Sequence, residues 1–140
     1  MFVDDWRIEH VWRKPGEGLA KAILAGTVTA PDFTIDDHYP LPLVQYQVWR
    51  SRIITAYWQA HDVVVVPVLQ WGQPVTWDIC ASGIEKGSVV AVRGPQRGTD
   101  RAWLRGMSFM LNRLEPSHIL HFGRRAEYPG NVFFFPLRSR

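Results

Sequence analysis

Residues 63–71 read VVVVPVLQW. Four valines in a row, followed after Pro67 by Val68 and Leu69, are apolar on both faces. That is the pattern of a strand buried inside a parallel sheet rather than one half-exposed to water. Pro67 has no N–H to give to a ladder, so a bulge or an edge is expected there. Gln70 and Trp71 then place a polar and an aromatic group at the strand's exit.

Working outward, residues 27–33, 88–93 and 119–122 also read as strands, and helical patterns alternate with them. Residues 15–25 form a helix with Pro15 near its start and Gly26 just past its end. Leu19, Ala20, Ile23 and Leu24 give it an apolar face. Residues 42–60 form a long helix, in which Tyr46, Trp49, Ile53 and Tyr57 recur at helical spacing and are expected to face the sheet. A short helix follows over residues 76–82, with Thr76 as N-cap. Thr99 caps a second long helix whose stripe is Trp103, Met107, Met110 and Leu114, stopped by Pro116. Residues 128–131 are a turn and residues 132–135 a last strand. Residues 2–6 are expected to be a first strand.

The alternation predicts a single α/β domain over residues 1–140. Its sheet is mostly parallel with five or six strands and helices on its faces, Rossmann-like or a half-barrel. Right-handed crossovers bring the loops after the strands to one end of such a sheet, where ligands bind.

The chain has 140 residues, of which 46% are hydrophobic, enough for the core of one domain. No apolar run approaches the roughly 18 residues of a membrane span, and the first residues, MFVDDWRIE, show no cleavage-site pattern. A cytoplasmic protein without membrane contact is expected. The one cysteine, Cys80, excludes an internal disulfide and reads as a small buried hydrophobe. Net charge is +3, and most of the 16 basic residues are arginine. Arginine suits phosphate recognition; a GC-rich genome produces the same bias.

Several strand-exit residues carry candidate chemistry. Asp5 and Arg7 share a face at the end of the expected first strand, with Asp4 on the other. Asp32 follows Pro31 at the exit of the second. Asp5 and Asp32 together would form a two-carboxylate site for acid/base catalysis; alternatively each caps a turn. Arg50 and Arg52 on the long helix read as an anion clamp or as a structural ion pair, for example to Asp32. Arg93 precedes GPQRG, residues 94–98, and Arg97 lies within it, ahead of a helix start, where an anion would be held. That loop matches neither a Walker A motif nor GxGxxG, and no cofactor is implied. The basic character faces phosphate only if Arg93 and Arg97 share a surface with Arg101 or Arg105. Trp71 at the strand exit is the best candidate for stacking a base or sugar ring. His118 and His121 sit three apart on a strand, point to opposite faces, and do not form a metal site together.

Taken in order, PDF at residues 31–33, the WRSR–YWQ series at 49–59, the strand ending at Trp71, GIEKGSVVAV at 83–92, LEPSHILHFG at 114–123 and GN at 130–131 resemble the DUF4417 family. That is a domain of unknown function found in bacteria and in phages or other mobile elements. The resemblance implies a small phage-type or mobile-element protein and transfers no reaction.

Two functional classes follow. One is a binding protein for a nucleotide, a nucleic acid or a host protein. The other is a small hydrolase or nucleosidase-type enzyme using Asp5 and Asp32. The run Val132-Phe133-Phe134-Phe135 must be covered on both faces, which makes a homodimer a candidate assembly.

Overall fold

The computed structural model describes residues 5–137, and of Asp5 and Arg7 the backbone alone. The chain divides into two compact units, Met1–Val68 and Leu69–Arg140.

In the first unit, the expected strand at residues 2–6 is not found. Its first residues lie outside the described ones, and from Asp5 the chain is helix α1 (Asp5–Arg13). Ile8 is buried and Val11 and Trp12 half-buried, an i, i+3, i+4 set that defines a helix face. Helix α2 (Pro15–Ala25) has the expected limits, and Gly26, at φ 71°, returns its N–H to the carbonyls of Ala22 and Ile23. The face it buries differs from the expected one. Gly18, Leu19 and Ala22 are buried, while Leu24 is 89% exposed and Ile23 is exposed. Close packing on α1 explains the choice: a Cβ at Gly18 would sit 3.0 Å from Val11 Cγ1, so this face admits the closest approach.

Strand β1 (Thr27–Thr29) pairs in parallel with β2 (Val64–Val66), Thr27 opposite Val64. Beyond β1 the chain leaves the sheet and is tied to α3 (Leu41–Gln59) instead. Ser51 Oγ donates to the Pro31 carbonyl at 2.7 Å, and Gln47 Nε2 to that of Thr34 at 3.2 Å. The stripe expected to face the sheet from α3 is turned outward. Trp49 is 51% exposed and Tyr46 and Ile53 are exposed, while Val44, Val48, Ile54 and Trp58 are buried. This helix is apolar around most of its circumference, so spacing alone does not select the buried side.

The valine-rich run is broken at Pro67. Residues 64–66 form β2, and β3 (Val68–Leu69) belongs to a different, four-stranded sheet of order β3-β4-β5-β6. The missing N–H of Pro67 ends one ladder and the next begins beyond it. The strands are therefore shared between two sheets rather than assembled into one of five or six.

In the second unit, β4 (Val89–Arg93), β5 (His118–Phe122) and β6 (Val132–Phe135) are parallel neighbours. Helix α5 (Asp100–Leu114) supplies Met107 and Met110, both fully buried, and ends at Glu115 in the left-handed region, one residue before Pro116. Thr99 stands at its N-cap position but gives its hydroxyl to the Gln96 carbonyl, so it does not cap the helix amides. Thr76 does the same toward Gln73, in a 3₁₀ turn (Pro74–Thr76) ahead of helix α4 (Trp77–Ala81). Cys80 on α4 is buried. The α/β class and the mostly parallel pairing are as the sequence predicts. No helix among the described residues is long and apolar enough to cross a membrane.

Candidate functional site

The carboxyl ends of β4, β5 and β6 lie in register: Arg93 is opposite Phe122, and Phe122 opposite Phe135. Three loops therefore leave the sheet side by side. They enclose a cleft of about 530 Å³, lined by Arg93, Gly94 and Arg97 from the first loop, Gly123 and Arg124 from the second, and Leu137 from the third. The ladder continues a residue past the strands. Gly94 N–H donates to the Phe122 carbonyl and Gly123 N–H to that of Phe135, both at 2.9 Å.

Gly94 is a glycine for lack of space. A Cβ there would lie 1.9 Å from the Arg124 carbonyl oxygen and 2.5 Å from His121 Nε2. The floor beneath it is His121, fully buried, and both its ring nitrogens are engaged. Nε2 is 2.7 Å from the Arg124 carbonyl and Nδ1 is 2.6 Å from the Tyr128 hydroxyl. A carbonyl only accepts, so Nε2 carries the hydrogen, and in the neutral ring Nδ1 accepts from Tyr128. Burial holds the His121 pKa below its ordinary value, which keeps the ring neutral, and burial likewise pushes the Tyr128 phenol up. Trp103 adds its ring beside both, 5.9 Å from His121 and 5.6 Å from Tyr128 between centroids.

Three arginines thus line one cavity, and a carboxylate is paired with one of them. Asp100, the first residue of α5, takes Arg124 Nη1 at 2.7 Å, and this bond holds the Asp100 carboxyl below the usual carboxylate range. Arg124 also reaches the Gln96 carbonyl at 3.3 Å. Arg93 and Arg97 are exposed. Guanidinium groups pair with anions, and their forks match phosphate oxygens in particular.

The residues singled out in the sequence are distributed between the units. Arg93 and Arg97 share the cleft. Arg101 and Arg105 do not line it, and the third basic residue, expected from α5, comes instead from the next loop, as Arg124. Trp71 does not line the cleft. It is half-buried, its ring 5.4 Å from that of Trp103, whose Nε1 donates to the Arg93 carbonyl at 3.0 Å. Asp32 and Arg52 belong to the first unit and are half-buried. Asp5 opens helix α1 rather than ending a strand, and Arg7 follows on that helix; both side chains lie outside the described residues. Arg50 makes the structural ion pair, with Glu9 of α1 rather than with Asp32. It is 5% exposed, bonds Gln47 as well, and lies 3.9 Å from the Phe33 ring centroid. From the sequence, His121 is weighed only as a metal ligand beside His118, and Tyr128 is given no role. Alternation along the strand puts His121 on the same inward face as Ile119, and a buried imidazole requires partners for two nitrogens; that was the available signal.

Comparison with known proteins gives a family but no reaction. The family described as "Domain of unknown function (DUF4417)" matches residues 1–133. The "Gene 1 protein" of Mycobacterium phage D29 is 35% identical over 127 residues, covering 88% of this chain and 47% of that protein. The "Gene 1 protein" of Mycobacterium phage L5 is 32% identical over 127 residues, covering 88% of this chain and 56% of that one. The chain thus spans about half the length of the curated relatives it matches. No solved structure matches. A family match over nearly the whole chain, joined by two phage relatives, means that the protein belongs to the DUF4417 family.

Proposed function

We propose that this phage-type protein binds a phosphate-bearing ligand, a nucleotide or a nucleic-acid strand, in the cleft at the carboxyl ends of β4–β6. The observation that carries the reading is the convergence of Arg93, Arg97 and Arg124 on one cavity of about 530 Å³. Parallel sheets bind ligands at this end. Calorimetric titration at low salt with a nucleoside diphosphate and with an oligothymidylate tests it. Binding of either that drops at least about tenfold in Arg93→Ala/Arg97→Ala supports the reading. Absence of binding by both, or binding indifferent to the two arginines, rejects it.

A second reading rests on β6. It is the terminal strand of its sheet, and Phe133, Phe134 and Phe135 are each more than a third exposed. An apolar edge of this kind pairs with another strand, and a second copy related by a two-fold axis would satisfy both edges at once. Sedimentation equilibrium is expected to show a dimer that Phe133→Asp converts to folded monomers. A monomer at high concentration in the wild type excludes it.

A further inference from the structure

The first unit holds a cavity of about 440 Å³ among α1, α2, β1 and α3, in the range of roughly 300–1,000 Å³ typical of small-molecule sites. Its walls are Ile8, Val11, Ala22, Val28 and Trp58. The sequence keeps it open, because Ala22 and Ala25 of α2 stand where longer apolar side chains would fill it.

Two observations give the space a chemical preference. Lys21 is at its border and makes no ion pair with any described residue, whereas His10, also at the border, is engaged by Glu17 at 2.8 Å. Trp58 is only 7% exposed, and its indole N–H is buried without an acceptor. Orphaned donors of that kind are rare in native proteins and call for a partner, and an apolar cavity is a poor host for the water that would otherwise serve. The lining therefore combines apolar surface, a tryptophan whose indole N–H lacks an acceptor, and at the border an exposed lysine that makes no ion pair with a described residue.

We propose that this cavity binds a small carboxylate with an apolar body, the body against Ile8, Val11 and Val28 and the carboxylate shared by Lys21 and the Trp58 indole N–H. The site is separate from the arginine cleft and does not depend on it.

Calorimetry on the whole chain with hexanoate, octanoate and decanoate, each kept below micelle formation, tests the assignment. Each added methylene is expected to tighten binding about fourfold, the factor equivalent to about 0.8 kcal/mol of apolar transfer. Lys21→Met is expected to weaken decanoate by about two- to fivefold while leaving decanol unchanged. Ala25→Leu, a substitution at an exposed helical position bordering the cavity, is expected to weaken both ligands, with a melting curve confirming that the variant is folded. Absence of decanoate binding, affinity independent of chain length, or a Lys21→Met variant indistinguishable from wild type would overturn it.

Discussion

At His121 the two nitrogens face the Arg124 carbonyl and the Tyr128 hydroxyl, and burial favours the neutral ring. Because its folded pKa is depressed, the unfolded chain takes up a proton at a higher pH than the folded one does. The stability this residue contributes is complete above its unfolded value, about 6.5, and is lost as pH falls from there toward the folded pKa. Asp36, Glu17 and Asp100, whose pKa values are lowered, act below that window. Urea midpoints are therefore expected to fall between about pH 7 and pH 5.5, with a shallower slope in His121→Gln; equal slopes would show that another group controls the window. Asp100 acts differently, as a tethered anion on Arg124. Asp100→Asn is expected to tighten nucleotide binding by about two- to fivefold, the scale of an exposed ion pair, and to have no effect in an Arg124→Ala background. Weaker binding in Asp100→Asn would instead make the carboxylate a positioning group.

Helix α5 and the segment after β3 meet at Gly106, where a Cβ would lie 2.1 Å from Trp71 Nε1. Helix propensity alone makes Gly→Ala favourable by about 1 kcal/mol, whereas overpacking costs about 1–3 kcal/mol. Sterics should win: Gly106→Ala is expected to destabilise the wild type and to stabilise Trp71→Ala by up to about 1 kcal/mol. Urea unfolding of the four variants decides it, and a stabilised single mutant would contradict the packing described. The same scale separates what the sequence disclosed from what it concealed. The limits of α2, α5 and β6 were legible because prolines, glycines and apolar runs mark them. The buried face of α3 was not, since Val44, Val48 and Ile54 and the stripe Tyr46, Trp49 and Ile53 both follow helical spacing. At the N-terminus, a short aromatic opening suggested a strand, although Ile8, Val11 and Trp12 already had the spacing of α1. In the cleft, Arg93 and Arg97 were legible from a glycine-bounded loop after a strand. The pairing of His121 with Tyr128 was not, because it depends on how the segment after β5 folds back onto that strand.

For the whole molecule, a mild charge of +3 gives little reason for tight binding to nucleic acid; what matters is that three arginines border one cleft. Affinity for a phosphate strand should then come from a few released counterions rather than from a general basic field. The most direct measurement is the anisotropy of a labelled oligothymidylate titrated with protein over a series of salt concentrations. With three contacts to a single strand, log K against log salt is expected to fall with a slope of about −2, and Arg124→Ala is expected to make it shallower by a little under one. Binding that is absent at low salt, or whose slope is the same with and without Arg124, would contradict the account of the cleft.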